Sequence, residues 1–102
     1  MTGFDKLNPW HPMSDPVELK TLGKFIEELG EGTQAAGRCL IQGMDEREPE
    51  TNKPNRLWLQ EEIADILANI DLVIECFGLN GDAIFERGHA KKERLREWHR
   101  MA

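Results

Sequence analysis

Residues 55–79 read NRLWLQEEIADILANIDLVIECFGL, and the spacing of their apolar residues decides the fold. Leu59, Ile63, Ile66, Leu67, Ile70, Val73, Ile74 and Phe77 recur at intervals of three and four, the period of a helix face. The stripe they form is well over ~100° wide, more than one neighbouring helix covers. Asn80-Gly81 breaks the pattern. A helix from about Asn55 to Leu79, apolar on a broad face, is therefore expected.

Upstream, residues 44–56 (MDEREPETNKPNR) lack apolar periodicity and hold Pro49 and Pro54, which makes them a polar loop. Before that loop, Asp15-Pro16 is a helix start, with Asp as N-cap and Pro at the first helical position. Leu19, Leu22, Phe25, Ile26, Leu29, Ala36 and Leu40 continue at helical spacing, and Gly43 is the expected stop. Gly23, Gly30, Gly32 and Gly37 each weaken such a helix by up to about 1 kcal/mol relative to alanine. Close packing or ligand approach would account for them, and so would an interrupted helix.

Downstream, Asp82 is expected to cap a third helix running to about Trp98, strongly charged and basic toward its end. The first sixteen residues, with Pro9, Pro12 and Pro16, form an extended arm. Phe4, Leu7 and Trp10 are expected to lie across the body or on a partner chain. The fold class is all-α, a helical bundle of about three long helices completed by oligomerisation into a homodimer or homotetramer. Residues 1–16 are the arm and 17–102 the single domain.

The balance of 13 Lys+Arg against 19 Asp+Glu, net −6, argues against nucleic-acid binding, which needs a basic face, and against an anionic membrane. It suits a protein that collects cations. Cys39 and Cys76 belong to no CxxC or Cys/His cluster and read as small buried hydrophobes in a reducing compartment, with a disulfide as the alternative. With no signal-peptide pattern and no apolar run near the ~18 residues a span needs, a cytoplasmic location is expected.

The acids are the distinctive feature. At about 100° per residue, Glu62, Asp65 and Asn69 share a narrow helix face that borders the apolar stripe. Glu28 and Glu31, three apart, are neighbours on the first helix, with Glu27 on the flank. Two carboxylates about 4 Å apart repel by roughly 4 kcal/mol at an effective dielectric near 20. A solvated acidic face is one meaning of such clusters, since screening makes them tolerable. Convergence around hard divalent cations is the other: Mg²⁺, or Mn²⁺ in its place, takes oxygen ligands and accepts substrate phosphates. An ExxE facing an ExxD across a helix pair is a recurrent way to build such sites. No histidine stands at ligand spacing, which disfavours zinc or a di-iron ExxH centre.

EELGE at 27–31, a gap, and EIAD at 62–65 resemble the EExxE and ExxD motifs of the MazG-like all-α NTP pyrophosphatases. The likeness runs from about Lys20 to Trp98. It implies an oligomeric, magnesium-dependent hydrolase that converts a nucleoside triphosphate to a monophosphate and pyrophosphate. By motif position it makes Glu28, Glu31, Glu62 and Asp65 metal ligands, with Glu28 also the expected base. Glu27 and Glu61 become supporting acids. Lys24 falls at a phosphate-facing position, Glu27 and Asn69 are expected to bind substrate with it, and Lys91 and Arg94 resemble the lysine and arginine that contact the triphosphate. His89 and Arg87 depart from the asparagine and lysine usual there, and the gap between the motifs is longer than in the shortest members. Lys91 and Arg94 also have a reading as complements to the helix dipole. Trp58 either stacks on a base or anchors packing. The alternatives to an enzyme are a non-catalytic helical interaction module and a ferritin-like metal bundle.

Overall fold

A computed structural model describes residues 9–101; Phe4 and Leu7 of the N-terminal arm lie outside the described residues. Three helices account for most of it: α1 (Pro16–Gln42), α2 (Asn55–Phe77) and α3 (Gly81–Met101). Among the described residues there is no strand, only an isolated bridge between Arg47 and Pro54 in the loop. The fold is all-α.

Helix α1 begins as its sequence dictates. The Asp15 side chain accepts hydrogen bonds from the Val17 and Glu18 amides at 2.9 and 3.0 Å, and Pro16 occupies the first turn, where no amide is needed. Its end is equally explicit: Gly43, at φ +109°, donates its amide to the Cys39 carbonyl at 2.9 Å. Of the glycines within α1, close approach explains Gly32, where a Cβ would lie 2.6 Å from Ile66 Cδ1 on α2. Gly23, Gly30 and Gly37 meet nothing within 4 Å, and α1 runs through them without interruption.

The loop between α1 and α2 is fastened by Asn55. Its side chain is wholly buried and its Nδ2 donates to Gly43 O at 2.9 Å and Gln42 Oε1 at 3.2 Å, tying the start of α2 to the end of α1. The Cys39 thiol donates to the Asn55 carbonyl at 3.5 Å, and Arg56 and Asp45 form a two-point ion pair at 3.0 and 3.2 Å. Glu48 turns the loop by accepting from Thr51 Oγ1 at 2.7 Å. Cys39 and Cys76 are free thiols, the first buried and the second half-buried.

Three boundaries differ from the sequence expectation, one of them the end of α3, which lies at Met101 and not near Trp98. Helix α2 ends at Phe77, because Gly78 adopts the left-handed conformation (φ +61°) and closes the last turn, so Leu79 falls outside it. The cap of α3 is Asn80, whose Oδ1 accepts from the Ala83 amide at 3.0 Å, and Asp82 sits inside the first turn. Asn two residues upstream supplies an acceptor already, which leaves Asp82 as a favourable charge near the helix N-terminus.

Helices α1 and α2 pack as an antiparallel pair, whereas α3 stands nearly clear of both. It diverges from α2 across an open groove of about 810 Å³ lined by Leu67, Ile70, Ile84, Phe85, His89 and Lys92. The radius of gyration is 18.8 Å, against about 13 Å for a compact chain of this length. The accessible surface is 8566 Å², against about 5,900 Å² for a folded monomer of this mass. Among the described residues the interior is correspondingly thin: Ala35, Cys39 and Val73, with Glu28 and Asn55.

The pair has two unlike faces. Leu22, Ile26, Leu29, Ala36 and Leu40 of α1 fall on the same side as Ile63, Leu67, Ile70 and Ile74 of α2, since antiparallel helices wind in opposite senses viewed from one end. Much of this side is bare; Leu40 is 87% and Leu67 57% exposed. The opposite side carries the acids. Among the described residues no helix is long and apolar enough to cross a membrane.

Candidate functional site

The acids of α1 and α2 converge on one side of the helix pair. Glu28, Glu62 and Asp65 each bring a carboxylate oxygen to within 4.8 Å of the others. Glu28 is 94% buried (6% exposed), yet its Oε2 has no hydrogen-bond partner, and Glu62 Oε2 is likewise buried and unpartnered. A buried carboxylate oxygen without a donor costs folding free energy unless a cation or a proton compensates it. The register that produces this is set two turns away by Asn55 and by the contact of Gly32 with Ile66.

Lysines compensate only the margins. Lys24 reaches Glu28 Oε1 at 3.3 Å and Glu27 at 3.4 Å, and these two acids, Glu28 first, hold its ammonium above the ordinary lysine range. Lys53 pairs with Glu61 at 2.7 Å. Glu31, Glu62 and Asp65 have no cationic partner among the described residues. The consequence falls on Glu62. Loss of hydration raises its carboxyl above the usual range, and the negative charges of Glu31, Asp65, Glu28 and Glu61 raise it further.

No protein-family model matches the chain, and neither a curated protein nor a solved structure matches it. The chemistry of the site is therefore read from its own residues. Three of the four expected ligands, Glu28, Glu62 and Asp65, come together directly. Glu31 stands at their edge: it is half-buried, shares a cavity wall with Glu62 and contributes to the field there. Asn69 is drawn back along its own helix, its Nδ2 donating to the Asp65 carbonyl at 2.8 Å. Glu27 is exposed and engaged with Lys24.

Lys91 and Arg94 are elsewhere. They line a shallow depression of α3 with Leu95 and Trp98, and no described cavity or contact joins them to the acids within one chain. Helix α3 continues to Met101, which places them about two to three turns from its end. The dipole acts within the last turn, so His99 and Arg100 complement it and these two residues do not.

Beside the acids lies a cavity of about 300 Å³ bounded by Glu31, Gln34, Ala35, Arg38, Trp58 and Glu62. Sequence reasoning passed over Gln34, Arg38 and Lys53. Arg38 was legible in principle, because it follows Glu31 by seven residues and so returns to the same helix face two turns on. Lys53 carried no such signal, lying in a loop with no periodicity.

The donor set consists of carboxylate oxygens alone, with no histidine or thiol in the cluster. That composition favours Mg²⁺, Mn²⁺ or Ca²⁺ over zinc or copper. Two buried oxygens without donors are what such an ion would satisfy.

Proposed function

We propose that the protein is a Mg²⁺-dependent nucleoside triphosphate pyrophosphohydrolase, with Mn²⁺ as a substitute ion, acting in the cytoplasm as a homodimer or homotetramer. The observation that carries this reading is the buried carboxylate of Glu28, one oxygen of which has no partner, in a cluster with Glu62 and Asp65 across the helix pair. A solvated acidic face would leave its carboxylates in water, whereas Glu28 is withdrawn from it. Glu28, Glu62 and Asp65 would hold the ion, with Glu31 at the rim. When bound, Mg²⁺ supplies charge neutralisation for a polyphosphate and lowers the pKa of water.

The reaction replaces the bond between the α-phosphorus and its bridging oxygen by a bond to water oxygen. Pyrophosphate leaves with the bridging oxygen, and the proton shed by the water passes to a carboxylate. Glu28 is the assigned acceptor, as a buried group with one oxygen free of protein donors. Lys24 fits a second role at the same place, since its ammonium, held at Glu28 and Glu27, is exposed enough to swing to a phosphate.

Assembly is part of the proposal. The surface in excess of a compact monomer, about 2,700 Å², exceeds the roughly 800 Å² per partner of a standard interface. Packing the apolar side of one helix pair on that of another makes a four-helix core and leaves the acidic sides outward.

The test is a panel of canonical and modified nucleoside triphosphates with Mg²⁺, reading pyrophosphate release, and an EDTA control. Release that requires Mg²⁺ supports the reading. No release from any triphosphate, by protein that binds Mg²⁺, leaves a non-catalytic helical module in its place.

A further inference from the structure

We propose that Arg38, presented on the ring of Trp58, is a second anion-binding residue of the site, besides Lys24, and grips a phosphate of the substrate beyond the ion. This rests on the metal reading above and adds to it the group that receives the far end of the polyphosphate.

The cavity beside the acids is electrostatically divided. Glu31 and Glu62 form one end. At the other, the Arg38 guanidinium lies over the Trp58 ring, 5.7 Å from its centroid, and the Lys53 ammonium lies over the same ring at 4.1 Å. Lys53 is already committed to Glu61 at 2.7 Å. Arg38 forms no close ion pair among the described residues, although its charge acts on the Glu48 carboxyl, and its guanidinium lies against the indole. A weakly hydrated, planar cation seated on an aromatic face keeps its hydrogen-bonding fork available to a ligand.

The spacing fixes the chemistry of that ligand. Arg38 follows Glu31 by seven residues, a rise of about 10 Å along one face of α1, and Trp58 precedes Glu62 by one turn on α2. A molecule filling this cavity meets carboxylates first and a guanidinium second. A simple cation is repelled at the far end and a simple anion at the near end. A polyphosphate that carries its own divalent ion matches both. Two cations over the Trp58 ring also bear on the stacking expected of it: a base would have to displace them, so this ring serves to hold charge.

Trp58 reports on its own environment. In a Trp10→Phe, Trp98→Phe background, inorganic tripolyphosphate with Mg²⁺ is titrated against Trp58 fluorescence, and Mn²⁺ binding alone is followed by electron paramagnetic resonance. The expected result is that Arg38→Ala weakens tripolyphosphate binding by about 10- to 150-fold, the range of a charge-assisted hydrogen bond, and leaves Mn²⁺ affinity unchanged. Arg38→Lys recovers part of the loss, because it restores the charge without the fork. Equal tripolyphosphate affinity in Arg38→Ala and the parent, with Mn²⁺ bound normally, overturns this inference alone. Failure of the parent to bind Mn²⁺ overturns the metal reading and this inference with it.

Discussion

Replacing Glu62 by Gln should make the metal-free protein more stable and the metal-loaded protein less stable than wild type. The cluster oxygens lie within 4.8 Å of one another. At that separation one like-charge pair repels by about 3.5 kcal/mol at an effective dielectric of 20 and by about 0.9 kcal/mol in water. Glu62 is half-buried and borders an open cavity, so the lower figure is the better guide. A gain of about 1 kcal/mol raises Tm by roughly 4–8 °C in a domain of this size. The amide also brings a donor to acids that lack one. Mg²⁺ at about 100 times its Kd stabilises wild type by about 2.7 kcal/mol and the variant by much less, which reverses the order. The pH dependence has a definite sign. A carboxyl raised in the folded state contributes stability that is fully present below its unfolded pKa, about 4.3, and is lost as pH rises through the folded value. In EDTA, the advantage of the variant should therefore be large at pH 7 and shrink toward pH 4. Thermal melts in EDTA and in Mg²⁺ at both pH values test this. A variant less stable than wild type in EDTA, with no Mg²⁺ effect on either, would refute the reasoning.

Sedimentation at micromolar concentration should show a dimer or larger species, and Leu67→Glu, on the bare apolar side, should shift it to monomer; a monomeric wild type would remove the assembly argument. Asn55→Ala should cost about 1–3 kcal/mol in urea melts, since it strips the Gly43 carbonyl and Gln42 of a buried donor. A loss below a few tenths would mean that the loop is fastened elsewhere. Lys91→Ala or Arg94→Ala should lower kcat/KM about 10- to 150-fold without altering Mg²⁺ affinity if α3 of another subunit brings them to the acids. Unchanged kcat/KM would remove both from the substrate site.

The helices were legible because their signals are local. Asp15-Pro16, Gly43 and the three-and-four spacing of α2 need no tertiary information. The end of α2 was misjudged by two residues because Leu79 continues the apolar pattern, while the backbone reversal is decided at Gly78. The convergence of Glu28 with Glu62 and Asp65 could be anticipated from helix faces. The burial of Glu28 could not, since it depends on the register that Asn55 and Gly32 impose across the pair. The separation of α3 was hidden for a related reason. Ile84, Phe85, Leu95 and Trp98 repeat as a core-facing helix would, yet all four are exposed in the single chain. Periodicity marks an apolar face and carries no information on what lies against it.

The proposed chemistry at these acids is metal-dependent substitution at the α-phosphate. Turnover of a nucleoside triphosphate in ¹⁸O-labelled water, followed by ³¹P NMR with Mg²⁺ and with EDTA, addresses it most directly. The expected products are nucleoside monophosphate carrying the label and unlabelled pyrophosphate, with no reaction in EDTA. Nucleoside diphosphate with orthophosphate, or the same products at the same rate in EDTA, would contradict it.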